Sequence, residues 1–173
     1  MQDFFVPKYA FFTKGTGRGM YELVAFDAAL REAGIASQNL VPVSSVFPPN
    51  CQLISKEEGV ARLKPGQVTF CVMARHDSNT AHQQIASAVS LIRLKDQSQF
   101  GYLAEHHASG QTEEIIGAEV EDIAAHFFSA KIGVPVEELD ITTRMHVAAA
   151  ATSSQEGEWV SVVSACVFLL SDE

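Results

Sequence analysis

Cysteine is scarce: the 173 residues hold three, Cys51, Cys71 and Cys166, an odd number at wide spacing. That excludes a disulfide framework and a paired-cysteine zinc motif, and it fits a reducing, cytoplasmic setting. Long apolar runs are missing too, so no segment is suited to span a membrane as a helix. The opening MQDFFVPKYAFF lacks the basic stretch and long apolar core of a secretion signal. Positive charge is in the minority, 12 Lys and Arg against 21 Asp and Glu, and the resulting net charge of -9 is spread along the chain without a block. Such a surface repels phosphate backbones and anionic lipid heads over a Debye length of roughly 8 Å, which argues against nucleic acid or membrane partners and leaves a cationic small molecule. Low-complexity tracts and dividing linkers are also absent. What remains is a chain 47% hydrophobic, expected to form one domain over residues 1–173 with a substantial core.

Hydrophobic periodicity predicts the order of elements. A first strand covers Phe4 to Thr13 and gives way to a flexible segment, KGTGRG. Tyr21 to Ala33 is a helix, with Leu23, Phe26, Ala29, Leu30 and Ala33 on one stripe and Gly34 as its stop. Asn39 to Val43 is a strand in which Pro42 forces an edge or bulge position. A double-proline loop, a short run around Cys51 to Ile54 and a polar turn lead to the strong strand VTFCVMAR, closed by the turn-forming DSNT. Ile85 to Leu94 reads as strand because β-branched residues occupy both faces, and Phe100 to His107 is another. Thr112 opens a second helix with Ile116, Val120, Ile123 and Phe127 at helical spacing, ended by Gly133 and Pro135. LDITTRMHVAAAA alternates, with Leu139, Ile141, Met145 and Val147 on one face, while WVSVVSACVFLL is apolar on both faces, as a central strand is.

Two helices against six or more strands, several of them apolar on both sides, cannot form one open sheet with a wet face. The economical arrangement is two sheets packed face to face with a helix on each outer surface, an α+β fold of the four-layer α/β/β/α sandwich type.

In NLVPVSSVFPPN, Ser44 and Ser45 stand where a strand gives way to the proline loop. By residue type, hydroxyls at a strand end most often bond nearby backbone groups. In a tight, strained turn a serine has another option. Its hydroxyl can attack the carbonyl of the preceding peptide and move the acyl group from nitrogen to oxygen. The ester so formed can be lost by β-elimination, leaving a dehydroalanine that tautomerises and hydrolyses to a pyruvoyl group. That group is a ketone beside a carbonyl, able to condense with an amine and withdraw electrons as pyridoxal phosphate does.

NLVPVSSVFPP resembles the self-cleavage site of the pyruvoyl-dependent arginine decarboxylases. AFDAALREAGI (25–35) lies upstream at the spacing seen in that family, and GYLAEHHASG (101–110) resembles the strand carrying its acidic catalytic residue. The C-terminal half matches mainly by a helix and two long strands. The resemblance implies a four-layer α/β/β/α sandwich assembled as a homotrimer or dimer of trimers of αβ units, with active sites between subunits. It implies cleavage into a β chain, residues 1–44, ending at Ser44, and an α chain, residues 45–173, opened by a covalent pyruvoyl group made from Ser45. Asn39 corresponds to an asparagine near the scissile turn, and Glu105 to the acid that assists processing and protonates the carbanion left by carbon dioxide. Asp27 corresponds to an acid that receives the far end of the substrate, with Ser44 also at the binding site. The implied reaction converts arginine to agmatine and carbon dioxide. Read from the residues alone, Asp27 lies among apolar neighbours on its helix and needs a cationic partner, Arg18 or Arg31 if not a substrate.

Other readings stay open. GTGRG hints at a phosphate-cradling loop, but Met20 stands where a third glycine of the dinucleotide fingerprint belongs. In EHH adjacent strand residues face opposite ways, so at most Glu105 and His107 share an ion, and no metal is expected. A decarboxylase of ornithine or lysine, or an unprocessed binding or regulatory protein of the same fold, are the alternatives.

Overall fold

KGTGRG is strand rather than flexible segment. In the computed structural model, which describes residues 5–170, β1 (Tyr9–Gly19) pairs antiparallel with the C-terminal strand β9 (Trp159–Leu169) along its whole length. Phe4, expected at the start of this strand, lies outside the described residues. The glycines serve the next element. Helix α1 (Glu22–Ala33) buries Ala25, Ala29 and Ala33, and it lies so close to β1 that a Cβ on Gly17 or Gly15 would stand 2.0 Å from the carbonyl oxygen of Ala25 or Ala29. Small residues on both elements permit that approach, and the predicted stripe is displaced: Leu23 remains 72% exposed. Gly34 ends the helix in the left-handed conformation, φ +79°, which glycine adopts without penalty. With KGTGRG inside a ladder, the phosphate-loop reading lapses.

The remaining elements are β2 (Asn39–Pro42), β3 (Val46–Phe47), β4 (Gln52–Leu53), α2 (Lys56–Ala61), β5 (Val68–Ser78), β6 (Gln84–Leu94), β7 (Gly101–Ser109), α3 (Glu113–Ile132) and β8 (Ile141–Thr152). One sheet has the order β2-β5-β9-β1-β4 and the other β3-β7-β6-β8. Between them Phe47, Val72, Leu91, Leu103 and Phe168 fill a shared core. α1 covers the outer face of the five-stranded sheet. α3 covers the outer face of the four-stranded sheet through Ile116, Val120, Ala124 and Phe128. The result is the expected four-layer sandwich, with β9 central and buried from Val160 to Leu169, and β2 at an edge where Pro42 is tolerated.

Three local expectations are corrected. The polar turn is α2, a helix too short to show a period, capped by Ser55 and pressed on the Phe11 ring through Gly59. On α3 the buried aromatic is Phe128, while Phe127 is 56% exposed. On β8, Met145 and Val147 face the inter-sheet core but Ile141 packs on the α3 side. The register with β6 slips between Arg93, opposite Thr143, and Leu94, opposite Ile141, and so reverses the faces. Among the described residues no helix is long and apolar enough to cross a membrane.

Candidate active site

The serine pair sits where the chain changes sheets. β2 runs parallel to β5 as far as Pro42 opposite Cys71, and the Val43 N–H then donates to the Cys71 carbonyl at 2.9 Å. Val46 already stands opposite Tyr102 of β7 in the other sheet, and the Leu103 N–H donates to the Ser45 carbonyl at 2.7 Å. Ser44 and Ser45 make the crossing between layers about 10 Å apart. So short a crossing needs a tight turn. The Val46 N–H donates to the Ser44 carbonyl at 3.0 Å, the closure of a γ-turn centred on Ser45. The non-glycine residues with positive φ are Asn50 and His82, so Ser45 lies in the inverse, relaxed form of that turn. Ser45 does not adopt the left-handed backbone conformation, and the Ser44 carbonyl is polarised by a donated N–H. Neither serine hydroxyl is hydrogen-bonded among the described residues, so the common backbone-bonding role is not theirs. A cavity of about 380 Å³ opens beside Ser44, with walls of Phe5, Pro7, Val43, Val46, Pro48, Phe70 and Phe168.

Glu105 stands two residues beyond Leu103 on the same face of β7, about 7 Å along the strand. Its carboxylate lies close enough to the Met73 N–H of β5 to be stabilised by it, just past the point where Val43 leaves that strand. Glu105 is exposed in the single chain, yet partial desolvation by its surroundings raises its pKa from the ordinary carboxylate value, and this outweighs the lowering effects of the Met73 N–H and of His107. Cys71 nearby is pushed up to about 11, first by burial and then by the Glu105 charge. His107 meets the His76 ring edge-on at 5.2 Å, whereas His106 faces α3, with Nε2 3.8 Å from Glu119. The EHH residues thus alternate between faces.

The chain matches the family described as Pyruvoyl-dependent arginine decarboxylase (PvlArgDC) over residues 9–173. It belongs to that family. A pyruvoyl-dependent arginine decarboxylase of Thermoplasma volcanium is 41% identical over 178 residues, covering 96% of this chain and 98% of that protein. A probable pyruvoyl-dependent arginine decarboxylase of Chloroherpeton thalassium is 42% identical over 179 residues, covering 95% and 98%. Pyruvoyl-dependent arginine decarboxylase 2 of Methanosarcina acetivorans is 38% identical over 180 residues, covering 96% and 98%. Enzymes of this family act through a covalently bound pyruvoyl group. Position 45 fits such a group: among the described residues the Ser45 hydroxyl has no hydrogen-bond partner, and the Ser45 carbonyl is held by the Leu103 N–H.

Two residues expected at the site lie elsewhere within the chain. Asn39 starts β2, where its side-chain amide donates to the Gly66 carbonyl at 2.8 Å, and four residue steps of extended chain, about 13 Å, separate it from Val43. Asp27 does not line the serine cavity and is not buried: its side chain is 58% exposed on α1, on the outward face with Leu23, and pairs with Arg31, four residues on, at 3.0 Å. The helix turns its alanines inward, so its charged face points out. The groups sequence reasoning missed are backbone donors, the N–H groups of Val46 and Leu103, which no residue type announces, together with the aromatic walls Phe70 and Phe168.

Proposed function

We propose that the chain cuts itself between Ser44 and Ser45 and then decarboxylates arginine to agmatine and carbon dioxide. The observation that carries this reading is the pair of hydroxyls, unpartnered among the described residues, at the crossing between two sheets, with Glu105 two residues along β7 from the Leu103 N–H that holds the Ser45 carbonyl. Ser45 Oγ attacks the Ser44 carbonyl carbon, the C–N bond breaks, and the nitrogen takes the hydroxyl proton. Loss of the Ser45 Cα proton then expels Ser44 as a carboxylate, and water replaces the nitrogen of the dehydroalanine as ammonia. Residues 1–44 and 45–173 remain one folded unit, because β2 stays paired to β5 and β3 to β7.

When formed, the pyruvoyl group supplies an electron-withdrawing carbonyl that takes the substrate amine and accepts the electron pair released with carbon dioxide. The apolar cavity keeps water from the substrate carboxylate and so favours its loss. Glu105, holding its proton above the usual carboxylate range, returns that proton to the α-carbon. Ser44, now a chain end, stays in the cavity wall. Asn39 anchors β2 to the turn before β5 rather than reaching the reacting carbonyl.

Among the described residues no carboxylate lines the cavity, and we assign the guanidinium partner to a neighbouring copy in a trimer or dimer of trimers. Asp27 is that partner, exposed on a helix whose start carries the exposed apolar residues Met20, Tyr21, Leu23 and Val24. A soluble, cytoplasmic setting fits three cysteines that are buried and unpaired. The test is amine release from arginine, ornithine, lysine and histidine, normalised to cleaved chain. Turnover confined to arginine supports the assignment. A preference for ornithine or lysine overturns the substrate, and no turnover by fully cleaved protein overturns the activity.

A further inference from the structure

We propose that the backbone N–H of Val46 is the oxyanion donor of the self-cleavage, an inference that rests on the cleavage between Ser44 and Ser45 proposed above. When Ser45 Oγ bonds to the Ser44 carbonyl carbon, the electron pair of the C=O bond moves to that oxygen. The tetrahedral intermediate then collapses, the Ser44 C–N bond breaks, and the Ser45 nitrogen gains the proton that left Oγ. No outside reactant enters this step. The barrier depends on what meets the charge growing on the Ser44 oxygen. Donors aimed at a developing oxyanion act from about 2.7–3.1 Å and need no reorganisation when already in place. The Val46 nitrogen is 3.0 Å from the Ser44 oxygen, and among the described residues it is the one donor that oxygen has.

The position is fixed by what surrounds it. Upstream, the Val43 N–H is bound to the Cys71 carbonyl of one sheet; downstream, Val46 and Phe47 stand opposite Tyr102 and Gly101 of the other. The Phe47 ring is fully buried, packed near Phe168 and beneath the Arg93 guanidinium at 5.0 Å. On β3 the ladder to β7 uses the Ser45 carbonyl, which receives the Leu103 N–H, while the Val46 N–H turns back to Ser44. The γ-turn therefore places nucleophile and donor on successive residues, with the attacked carbonyl just before them. A side-chain amide is the other group suited to such a role, but that of Asn39 is bound to Gly66 at the far end of β2.

The experiment compares first-order cleavage of freshly synthesised parent chain, Val46→Ala and Val46→Pro, followed by gel and intact mass. Proline removes the N–H, and at an edge strand with that N–H outside the ladder it costs no sheet hydrogen bond. Alanine trims the side chain and keeps the donor. Cleavage of Val46→Pro slower than Val46→Ala by about 100-fold or more is expected, the scale for losing one oxyanion donor. A difference under about threefold overturns the proposal. Where circular dichroism shows Val46→Pro unfolded, the same comparison is made on a chain carrying the α-hydroxy analogue of valine at position 46, which replaces the N–H by oxygen, and the same threshold applies. A parent that stays uncut overturns the self-cleavage itself and this inference with it; a parent that cuts alongside an equally fast donor-free variant overturns the inference alone.

Discussion

Replacing Gly17 by alanine tests the contact that positions α1. The new Cβ would lie 2.0 Å from the Ala25 carbonyl oxygen and 2.4 Å from the Ala29 nitrogen, both backbone atoms of a helix that cannot swing aside as a side chain does. Restoring an ordinary separation of about 3.5 Å requires the helix to recede by about 1.5 Å, which withdraws Ala25, Ala29 and Ala33 from β1 and β9 together. Overpacking of this kind costs roughly 1–3 kcal/mol, and the upper end applies because no flexible atom gives way. At about 2–4 °C per kcal/mol for a chain of this size, the melting temperature falls by roughly 6–12 °C. Gly19→Ala is the graded comparison. Its Cβ would meet the Val24 side chain at 2.9 Å and the Ala25 nitrogen only at 3.1 Å, a milder clash than that at Gly17. The assay is thermal unfolding of each variant on the Ser45→Ala background, which keeps the chain whole. A Gly17→Ala melt within about 2 °C of its parent, or a loss no larger than that of Gly19→Ala, refutes the argument that helix and strand backbones meet here.

Glu105→Gln should slow decarboxylation per cleaved chain by about 100-fold, the usual scale for a lost general acid, and unchanged turnover removes Glu105 from the mechanism. The same substitution has a pH signature. Because partial desolvation raises the Glu105 pKa, its neutral form is favoured in the fold, so the stability it lends below the ordinary carboxylate range is lost as pH rises through the raised value. Gln mimics the neutral form, so on uncut protein Glu105→Gln melts higher relative to its parent at neutral pH than at a pH below that range; a pH-independent difference contradicts the assignment. Asp27→Asn should leave cleavage unchanged and lower kcat/KM for arginine by about 2 kcal/mol or more, roughly 30-fold, as for removing one partner of a desolvated charge pair. A loss under about threefold means that Asp27 does not hold the guanidinium.

The layers were legible because both sheets are buried on two faces: β9 carries no polar face for solvent, and such a strand requires cover on each side. The serine crossing was legible as a place but not as a geometry. Pro42 announced an edge, yet the γ-turn that polarises the Ser44 carbonyl is made by backbone groups common to every residue. The glycines of β1 misled because their function lies in α1, a partner that local composition does not reveal. The Ile141 face was hidden by a register slip with β6, a property of pairing rather than of period. Asp27 was read among its sequence neighbours, but the helix turns on its alanines, so Leu23 and Asp27 both face outward. The position of Glu105 was readable in GYLAEHH through family resemblance; its closeness to the Met73 N–H depends on where β2 leaves β5.

The central claim is that residue 45 makes its own reactive group, and intact mass analysis of the purified chain beside Ser45→Ala tests it most directly. The account predicts two species from the parent: residues 1–44 ending in a free carboxylate, and residues 45–173 with a blocked N-terminus that has lost its nitrogen as ammonia and carries a ketone trapped by a hydrazine reagent. Ser45→Ala should remain one chain of full length. A parent that decarboxylates arginine as a single uncut chain, or a Ser45→Ala variant that still divides between positions 44 and 45, contradicts the account.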